Sequence, residues 1–427
     1  MPSIFDLLAL LLTATAGFAW VNHVYIGLPH TIGLMLMGLV SSLLLIAAEL
    51  LVPDVALSDE LASIIRHIDF QRIVLDGMLA FLLFAGALHV DFSRLRRRAW
   101  SVGTMATMGV VVSTALVGTG LWLLAPLLGV TIPFVWALVF GVLISPTDPV
   151  AVLAILKTVT VPPSLEIDMS GESLFNDGVA VVLFSVLLAV ATGTGDLAPL
   201  AIAEMLVVET VGGVLIGLAA GYLAYRASRR IDDYVIEVMI SIALAMAAFA
   251  LASRLHASGP IAVVVAGLYL GNRGPKDALS DQTQRYLFGY WTLVDEILNS
   301  ILFLLIGLEV LVLRFNASHA LLALCIIPLV VAARFAATSL PVIALRRWQS
   351  FAPGSIAILT WGGLRGGISI ALALSLPETA AKPMLLTATY CAVIFTIAVQ
   401  GLTLKRVIRH YCKDAADPGP EAEGAAR

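Results

Sequence analysis

The feature that most constrains this chain is a series of apolar runs, each about 20 residues long and nearly free of charged side chains. A helix of that length spans the hydrocarbon core of a bilayer, which is roughly 30 Å thick. Of the 427 residues, 60% are apolar and 13% are charged, whereas soluble domains carry about 25% charged residues. A water-soluble fold is therefore excluded. A transmembrane β-barrel is excluded as well, because the runs do not alternate between apolar and polar residues.

The runs predict an all-α polytopic membrane protein with about thirteen transmembrane helices. The predicted spans are residues 4–22, 28–51, 71–89, 101–125, 130–157, 169–192, 201–226, 234–253, 259–271, 288–313, 319–345, 353–376 and 384–408. The first run contains Asp6 but no basic residue, which favours an uncleaved span over a signal peptide. Residues 411–427 are polar and are predicted to form a short disordered tail.

The positions of Lys and Arg predict the orientation. With the amino terminus outside, 18 of the 25 basic residues fall in cytoplasmic segments and five fall outside. The prediction is a multi-pass protein of the plasma (inner) membrane with a cytoplasmic carboxyl terminus. The net charge of −4 argues against a nucleic-acid partner. The three cysteines are far apart in sequence and indicate neither disulfides nor zinc.

The fifth span contains the consecutive residues Ser145, Pro146, Thr147, Asp148 and Pro149. Two prolines three positions apart remove two backbone donors, so the helix is expected to break near the middle of the span. Irregular backbone at that depth is tolerated where it is buried in protein or lines a cavity, and transporters bind ions at such breaks. A kink that only shapes packing is the alternative, and Asp148 between the prolines disfavours it.

The sixth span begins with a polar segment that includes Glu172, Ser173, Asn176 and Asp177. Ser173 and Asp177 are four residues apart and share one helix face, with Asn176 at its edge. This oxygen-rich set suits a hard cation, and a carboxyl group at this depth is able to exchange a proton for that cation. Glu172 lies about 140° from Asp177 around the helix and is expected to face a different partner. A helix-start position near the headgroups is the alternative for both carboxylates.

The twelfth span contains Arg365 among four glycines between residues 362 and 367. So many glycines disfavour a regular helix, and the backbone is expected to unwind there or to be approached closely. Arg365 keeps its charge in the membrane and needs a carboxylate, for which Glu172 is the predicted partner. Arg334 in the eleventh span is a possible accessory residue, which either shares that role or extends to the inner surface.

The two expected breaks lie seven spans apart, so the fifth and twelfth spans run in opposite directions. Discontinuous helices that meet at the midplane in opposite directions are typical of an inverted-topology repeat. The prediction is that the two broken helices cross in a core domain.

Four segments together resemble one family. SPTDPVAV, GESLFNDGVAVVLF, WTLVDEILNSILFLLIGLEV (291–310) and GGLRGGISIALALSLP are similar to the cation/proton antiporter superfamily. The resemblance is to its NhaP-type branch of sodium/proton antiporters, which includes the animal sodium/proton exchangers. It extends over nearly the whole chain, from about residue 4 to residue 410, and rests on the combination of motifs.

The resemblance implies one antiporter unit of residues 1–410 that forms a homodimer. Spans 1–3 and 8–10 would form a dimerisation domain, and spans 4–6 and 11–13 a core transport domain. The implied function is exchange of H⁺ for Na⁺, and also for Li⁺, by alternating access. The implied partners are monovalent cations, protons and membrane lipid. No enzymatic activity and no cofactor besides the transported ions are expected, and no Walker pattern is present.

The resemblance also assigns roles to residues. Asp177 would bind either a proton or the cation, and Asn176, Ser173, Thr147 and Asp148 would complete or support the site. The transported cation would be held by Asp177, Ser173 and Thr147. The resemblance further implies the salt bridge between Glu172 and Arg365. Electrogenic relatives have two aspartates where this chain has Asn176 and Asp177, and an asparagine does not titrate, which implies electroneutral exchange.

Some points stay open at this level. The third span has no acidic residue at its centre, so the role of this span in the ion path is undefined. His89, near the end of the span, is its candidate polar residue. The tenth span carries three polar residues that either line a cytoplasmic funnel or cap a helix: Asp295, Glu296 and Asn299.

Three other functions compete with sodium/proton exchange. The first is K⁺/H⁺ exchange by the same mechanism, because cavity size and ligand flexibility set the ion. The second is a membrane aspartyl hydrolase that uses Asp148 and Asp177 as a pair. The third is a cation channel, which needs a continuous pore with rings of ligands. The opposed breaks favour alternating access at one site over a channel, and Arg365 would have no role in a hydrolase. Both arguments favour an antiporter.

Overall fold

The computed structural model describes residues 4–51, 77–156, 159, 161–193, 199–311 and 317–412. The tail from residue 413 onward and the first part of the third predicted span lie outside these residues. Every regular element of the described part is helical, which confirms the predicted fold class. Eight of its helices are long and apolar enough to cross a membrane. The total of thirteen crossings stays a prediction.

The first half of the chain contains helices of very different lengths. They are α1 (Ile4–Val21), α2 (His30–Leu51), α3 (Leu79–Leu88), α4 (Phe92–Arg97), α5 (Ala99–Leu124), α6 (Phe134–Leu143), α7 (Pro149–Leu156) and α8 (Pro163–Ala191). The second half continues in the same way. Its helices are α9 (Pro199–Ser228), α10 (Tyr234–Arg254), α11 (Gly259–Asp277), α12 (Asp281–Leu308), α13 (Ala317–Leu345), α14 (Ser355–Trp361), α15 (Gly367–Leu374), α16 (Lys382–Phe395) and α17 (Leu402–Tyr411).

Two of the predicted spans are broken in the middle, as expected. Residues 144–148 separate α6 from α7, and residues 362–366 separate α14 from α15. At the first break Ser145 donates its hydroxyl to the Gly141 carbonyl at 2.8 Å, so the last turn of α6 is satisfied within the protein. Pro149 opens α7, where a missing backbone donor costs nothing.

The helices pack in two groups. One group contains α2, α3 and α9–α12, in which α2 packs on α12, α3 on α11, and α11 on α9. The other contains α5, α6, α8 and α13–α16, in which α5 packs on α6, α8 and α13. The two breaks belong to the second group.

Small residues permit the closest helix crossings. A Cβ atom added to Gly38 of α2 would lie 2.9 Å from the Leu304 carbonyl oxygen of α12, and Ser42 donates to the Gly307 carbonyl at 3.1 Å. Close backbone approach through small residues, with a hydroxyl bond across, is how membrane helices associate when lipid is as apolar as their side chains. The buried apolar residues of α2 and α12 continue into those of α15 and α16, so the broken helices lie against the first group.

Candidate functional site

The two helix breaks meet each other through backbone and side-chain hydrogen bonds. The Asp148 amide donates to the Leu364 carbonyl at 2.8 Å, which joins the fifth span directly to the twelfth. Breaking both helices exposes backbone groups that water cannot reach at this depth. The hydrogen bond between the two breaks therefore restores part of the backbone hydrogen bonding that each helix loses.

Arg365 lies at this junction and is almost completely buried. Its guanidinium Nη1 donates to the Ser145 carbonyl at 2.5 Å and to the Pro146 carbonyl at 3.1 Å. Its own amide donates to the Thr396 hydroxyl at 3.1 Å. The fixed positive charge thus faces the carbonyl oxygens released where α6 ends, at the negative end of that helix dipole.

The predicted salt bridge between Glu172 and Arg365 is wrong in its basic partner. Glu172 accepts a bidentate pair of hydrogen bonds from Arg334, one of them from Nη1 and the other from Nη2 at 2.9 Å. Both side chains are buried. Arg334 also donates to the Leu359 carbonyl through Nε at 3.3 Å and Nη2 at 3.2 Å. Of the two roles considered for Arg334, the structure shows the ion pair.

The physical reason for this exchange of partners lies in the glycines of the twelfth span. A Cβ atom added to Gly363 would lie 2.5 Å from Nε of Arg334, so the missing side chain leaves room for Arg334 to pass to Glu172. Arg365 follows two residues later, where the unwound chain directs it to the fifth span. Sequence position alone does not distinguish these two arrangements.

The predicted polar residues of the fifth and sixth spans do come together. The Asn176 side-chain amide donates to the Thr147 hydroxyl at 2.8 Å, and its carbonyl oxygen accepts the Thr147 amide at 3.4 Å. The Thr147 and Ser173 hydroxyls lie 2.9 Å apart. All three side chains are buried. Asn176 therefore holds the first break against α8 through both the oxygen and the nitrogen of its side-chain amide.

Asp177 lies in the wall of a cavity of about 620 Å³, together with Thr147 and Asp148. The Asp177 side chain is 5% exposed, so it is screened by protein except on the cavity side. Asp148 is close enough to act on it electrostatically. A Cβ atom added to Gly366 would lie 2.6 Å from Cβ of Asp148, so only glycine permits the second break to approach the aspartate this closely.

Ser173 and Asn176 lie just behind this wall, bonded to Thr147. The structure therefore brings together the five residues predicted for ion and proton binding. The ion pair between Glu172 of α8 and Arg334 of α13 lies outside this set. Among the described residues no group of three or more His, Cys, Asp and Glu side chains is arranged to hold a metal ion.

The cavity has further polar residues in its wall, contributed by the end of α3 and by α12. Asp295, Glu296 and Asn299 line it and lie in the middle of α12 rather than at a helix end, which favours the funnel interpretation over a helix cap. That the funnel opens to the cytoplasm stays a prediction. His89 also lines the cavity, and its ring bonds the Thr292 hydroxyl at 3.1 Å and the Ala85 carbonyl at 2.7 Å. The third span thus contributes to the cavity although its centre has no acidic residue.

Sequence reasoning missed a second buried ion pair, between Arg98 and Asp168. Arg98 precedes α5 and Asp168 lies in α8, and Arg98 also donates to the Ser350 carbonyl at 2.8 Å. Its guanidinium carbon lies 4.8 Å from the centroid of the Phe351 ring. The count of basic residues places Arg98 in a cytoplasmic segment beside Arg96 and Arg97, and its neighbourhood in sequence carries no signal that separates it from them.

Comparison with known proteins agrees with this architecture. Residues 8–410 match the family model for the sodium/hydrogen exchanger, transmembrane. The chain is 44% identical over 425 residues to the Na(+)/H(+) antiporter NhaP of Pseudomonas aeruginosa, covering 98% of this chain and 99% of that protein. It is 35% identical over 387 residues to the Na(+)/H(+) antiporter NhaH of Halobacillus dabanensis, covering 89% of this chain and 91% of the relative.

A solved structure shares the fold. The sodium proton antiporter MjNhaP1 from Methanocaldococcus jannaschii superposes with a TM-score of 0.71 at 19% sequence identity, covering 94% of this chain and 96% of the other. The family match, the identities along almost the full length and the shared fold lead to one assignment. The chain belongs to the transmembrane sodium/hydrogen exchanger family.

Proposed function

We propose that this protein exchanges H⁺ for Na⁺ across the membrane by alternating access. The observation that carries the proposal is the position of Asp177, a buried carboxylate in the wall of a large cavity beside two broken helices. The relatives at 44% and 35% identity are both named as Na(+)/H(+) antiporters, which supports Na⁺ as the ion and gives no support to K⁺. Li⁺ is the second expected cation, since the same oxygen ligands suit it.

Competition at Asp177 couples the two ions. The carboxyl group binds either a proton or the cation, so one leaves when the other arrives, and neither gradient can dissipate alone. Thr147 and Ser173 supply hydroxyl oxygens on the same side of α8, and Asp148 adds a second negative charge nearby. Asn176 positions Thr147 and does not itself titrate. One exchanging carboxylate, Asp177, with a non-titrating amide at the neighbouring position 176, supports an electroneutral exchange of one proton for one cation.

Two arginines have distinct supporting roles in this mechanism. Arg365 holds the carbonyl groups of Ser145 and Pro146, so the first break keeps one shape when the ion changes. Arg334 neutralises Glu172 and removes it from competition for the cation. We assign both to positioning, because neither is among the residues that line the cavity next to Asp177.

The two packing groups support the two domains that the resemblance implies. We assign the group with both breaks to a mobile core. We assign α2, α3 and α10–α12 of the other group, together with α1, to a dimerisation domain, within one unit of residues 1–410. Motion of the core against the other domain would carry the site from one side to the other. We further propose a homodimer in the inner membrane, with the amino terminus outside. No cofactor takes part in this scheme.

The test is ion flux in sealed proteoliposomes that contain the purified protein. Proton efflux from acid-loaded vesicles is followed after addition of Na⁺, Li⁺ or K⁺, with and without valinomycin to clamp the voltage. We expect efflux with Na⁺ and Li⁺ that does not depend on the clamp. Asp281→Asn, an exposed carboxylate at the start of α12, is the matched control for Asp177→Asn. Efflux that needs no cation, or that Asp177→Asn leaves unchanged, would refute the proposal.

A further inference from the structure

Two loops that are distant in sequence lie side by side. The first runs from the end of α3 through α4 to the start of α5, and Asp91 and Arg94 in it are among the residues that line the cavity. The second follows α13. Gln349 donates to the Arg97 carbonyl at 3.3 Å, and Arg98 donates to the Ser350 carbonyl at 2.8 Å. The buried Arg98–Asp168 pair fixes this junction to α8.

The junction presents a surface of arginine and tryptophan side chains, which we call the Arg–Trp patch. All of its members are exposed, and Trp100 and Trp348 are 75% and 77% exposed. The patch consists of Arg96, Arg97, Trp100, Arg346, Arg347 and Trp348. Each of the two loops contributes two arginines and one tryptophan. Because both indole rings are exposed, they do not take part in the packing of the protein interior.

The four arginines of the patch form no salt bridge within the part of the chain that the structure describes. Their neighbour Arg94 is paired with Asp91 at 3.2 Å, whereas none of the four forms a salt bridge with a described carboxylate. Four positive charges on two adjoining loops attract an anion.

The position of the patch identifies the kind of anion. Trp100 lies in the first turn of α5, and Arg346 directly follows α13, and both helices are long and apolar enough to cross a membrane. The patch therefore lies where lipid headgroups begin. Tryptophan is enriched at that depth because its ring is amphipathic, and clustered arginines beside a membrane helix bind anionic headgroups. A soluble anion would explain the arginines but not the two exposed indole rings.

We propose that the Arg–Trp patch is a binding site for the headgroup of an anionic phospholipid. The phosphate would lie between the arginines of the two loops, and Trp100 and Trp348 would insert at the level of the glycerol backbone. The site differs from the ion site around Asp177 and does not depend on the transport mechanism. Its occupant would bridge α4 and the loop after α13, both of which are joined to α8 through Arg98.

The test uses the full-length protein in nanodiscs with brominated lipids, which quench tryptophan fluorescence on contact. Brominated phosphatidylglycerol is titrated into phosphatidylcholine, and brominated phosphatidylcholine is titrated in parallel. We expect stronger quenching by the anionic lipid, and we expect Trp100→Phe with Trp348→Phe to remove the difference. Arg96→Gln with Arg97→Gln should weaken the apparent lipid affinity about fivefold for each arginine removed.

Matched variants separate a site from general attraction to a charged membrane. Arg229→Gln with Arg230→Gln removes the same charge from an exposed loop of the other packing group and should leave the quenching unchanged. Arg96→Lys with Arg97→Lys should keep most of the affinity. Equal quenching by both lipids, or an equal loss in the Arg229 and Arg230 variant, would overturn the proposal. So would full competition by free glycerol phosphate at the same ionic strength.

Discussion

Two of the buried carboxylates of helix α8, Glu172 and Asp177, have surroundings that differ in one decisive respect. Glu172 receives two hydrogen bonds from Arg334 and is neutralised by it. Asp177 faces a cavity of about 620 Å³ and has another carboxylate, Asp148, nearby instead of a cation. A carboxylate with its own guanidinium has no need of a transported ion, whereas one beside a second negative charge does.

The difference comes from the two broken spans rather than from α8 itself. Near Glu172, the missing side chain of Gly363 in the twelfth span leaves room for Arg334 to reach the carboxylate. On the Asp177 side, Arg365 is held by the carbonyl groups of Ser145 and Pro146. Both guanidinium groups are thus bound to partners other than Asp177. The comparison teaches that the crossing of the breaks gives Glu172 an arginine partner and directs Arg365 to backbone carbonyl groups, which leaves Asp177 to the cavity, as the proposed exchange mechanism requires.

The largest expected effect is on transport by Asp177→Asn. An amide of the same shape carries no charge and does not release a proton, so neither the cation nor the proton is exchanged. We expect exchange to be abolished while thermal unfolding stays at or above the wild-type temperature, because a buried charge has been removed. Proteoliposome flux and differential scanning fluorimetry measure the two properties. Wild-type flux in this variant would break the distinction between the two carboxylates.

Glu172→Gln should have the opposite pattern. It leaves the Arg334 guanidinium buried without a full negative partner, and breaking a buried pair in this way costs about 3–5 kcal/mol of stability. We expect a large fall in unfolding temperature, with exchange retained in the fraction that folds. Replacing both partners, Glu172→Gln with Arg334→Gln, should recover part of the loss, since no charge is then stranded. A double variant less stable than the single one would contradict this explanation.

Asn176→Ala sharpens the comparison on the Asp177 side. The substitution removes both hydrogen bonds between Asn176 and Thr147 and leaves the buried Thr147 amide unsatisfied, at a cost of about 1–3 kcal/mol. We expect a weaker apparent affinity for Na⁺, measured by the cation dependence of proton efflux, because Thr147 is no longer positioned. Ser185→Ala on the exposed side of α8 is the matched control. The same loss of affinity in both variants would make the effect one of helix stability.

How much of this was predictable from the sequence depends on whether the signal is local. Proline and glycine act on the backbone next to them, so both breaks were located from Pro146, Pro149 and the glycines around Arg365. Helix periodicity placed Ser173, Asn176 and Asp177 on neighbouring faces. These predictions needed no knowledge of the partner helix.

The pairing of charges was not predictable in the same way. Arg334 and Arg365 were both candidates for Glu172, and the choice depends on a gap of one missing Cβ atom at Gly363 in the assembled structure. Arg98 is buried and Arg97 is exposed although they are adjacent, because the loop after α13 covers one of them. The Glu172–Arg334 pair and the contact of Arg98 with Ser350 join residues more than a hundred positions apart, and sequence spacing contains no distance information for them.

The smallest expected effect concerns Asp91, an exposed carboxylate that serves as a contrast to both buried ones. Asp91 caps α4 by accepting the Ser93 amide at 2.8 Å and the Arg94 amide at 3.3 Å. The hydrogen bond from the Ser93 side chain, chiefly, holds the pKa of Asp91 below its ordinary value. A lowered pKa means that the ionised form stabilises the folded state. The contribution is complete at neutral pH, and it is lost as the pH falls through that lowered pKa, below about 4.

Asp91→Ala should therefore destabilise α4 by about 1 kcal/mol, the usual cost of losing a helix cap. We expect faster amide hydrogen exchange confined to residues 92–97 at pH 7, and a smaller difference from wild type at the lowest pH at which the protein stays folded. Exchange of Na⁺ for H⁺ should stay near the wild-type rate, because the negative charge of Asp91 is already balanced by Arg94. A loss of transport as large as that of Asp177→Asn would mean that exposure and an arginine partner do not suffice to mark a carboxylate as structural.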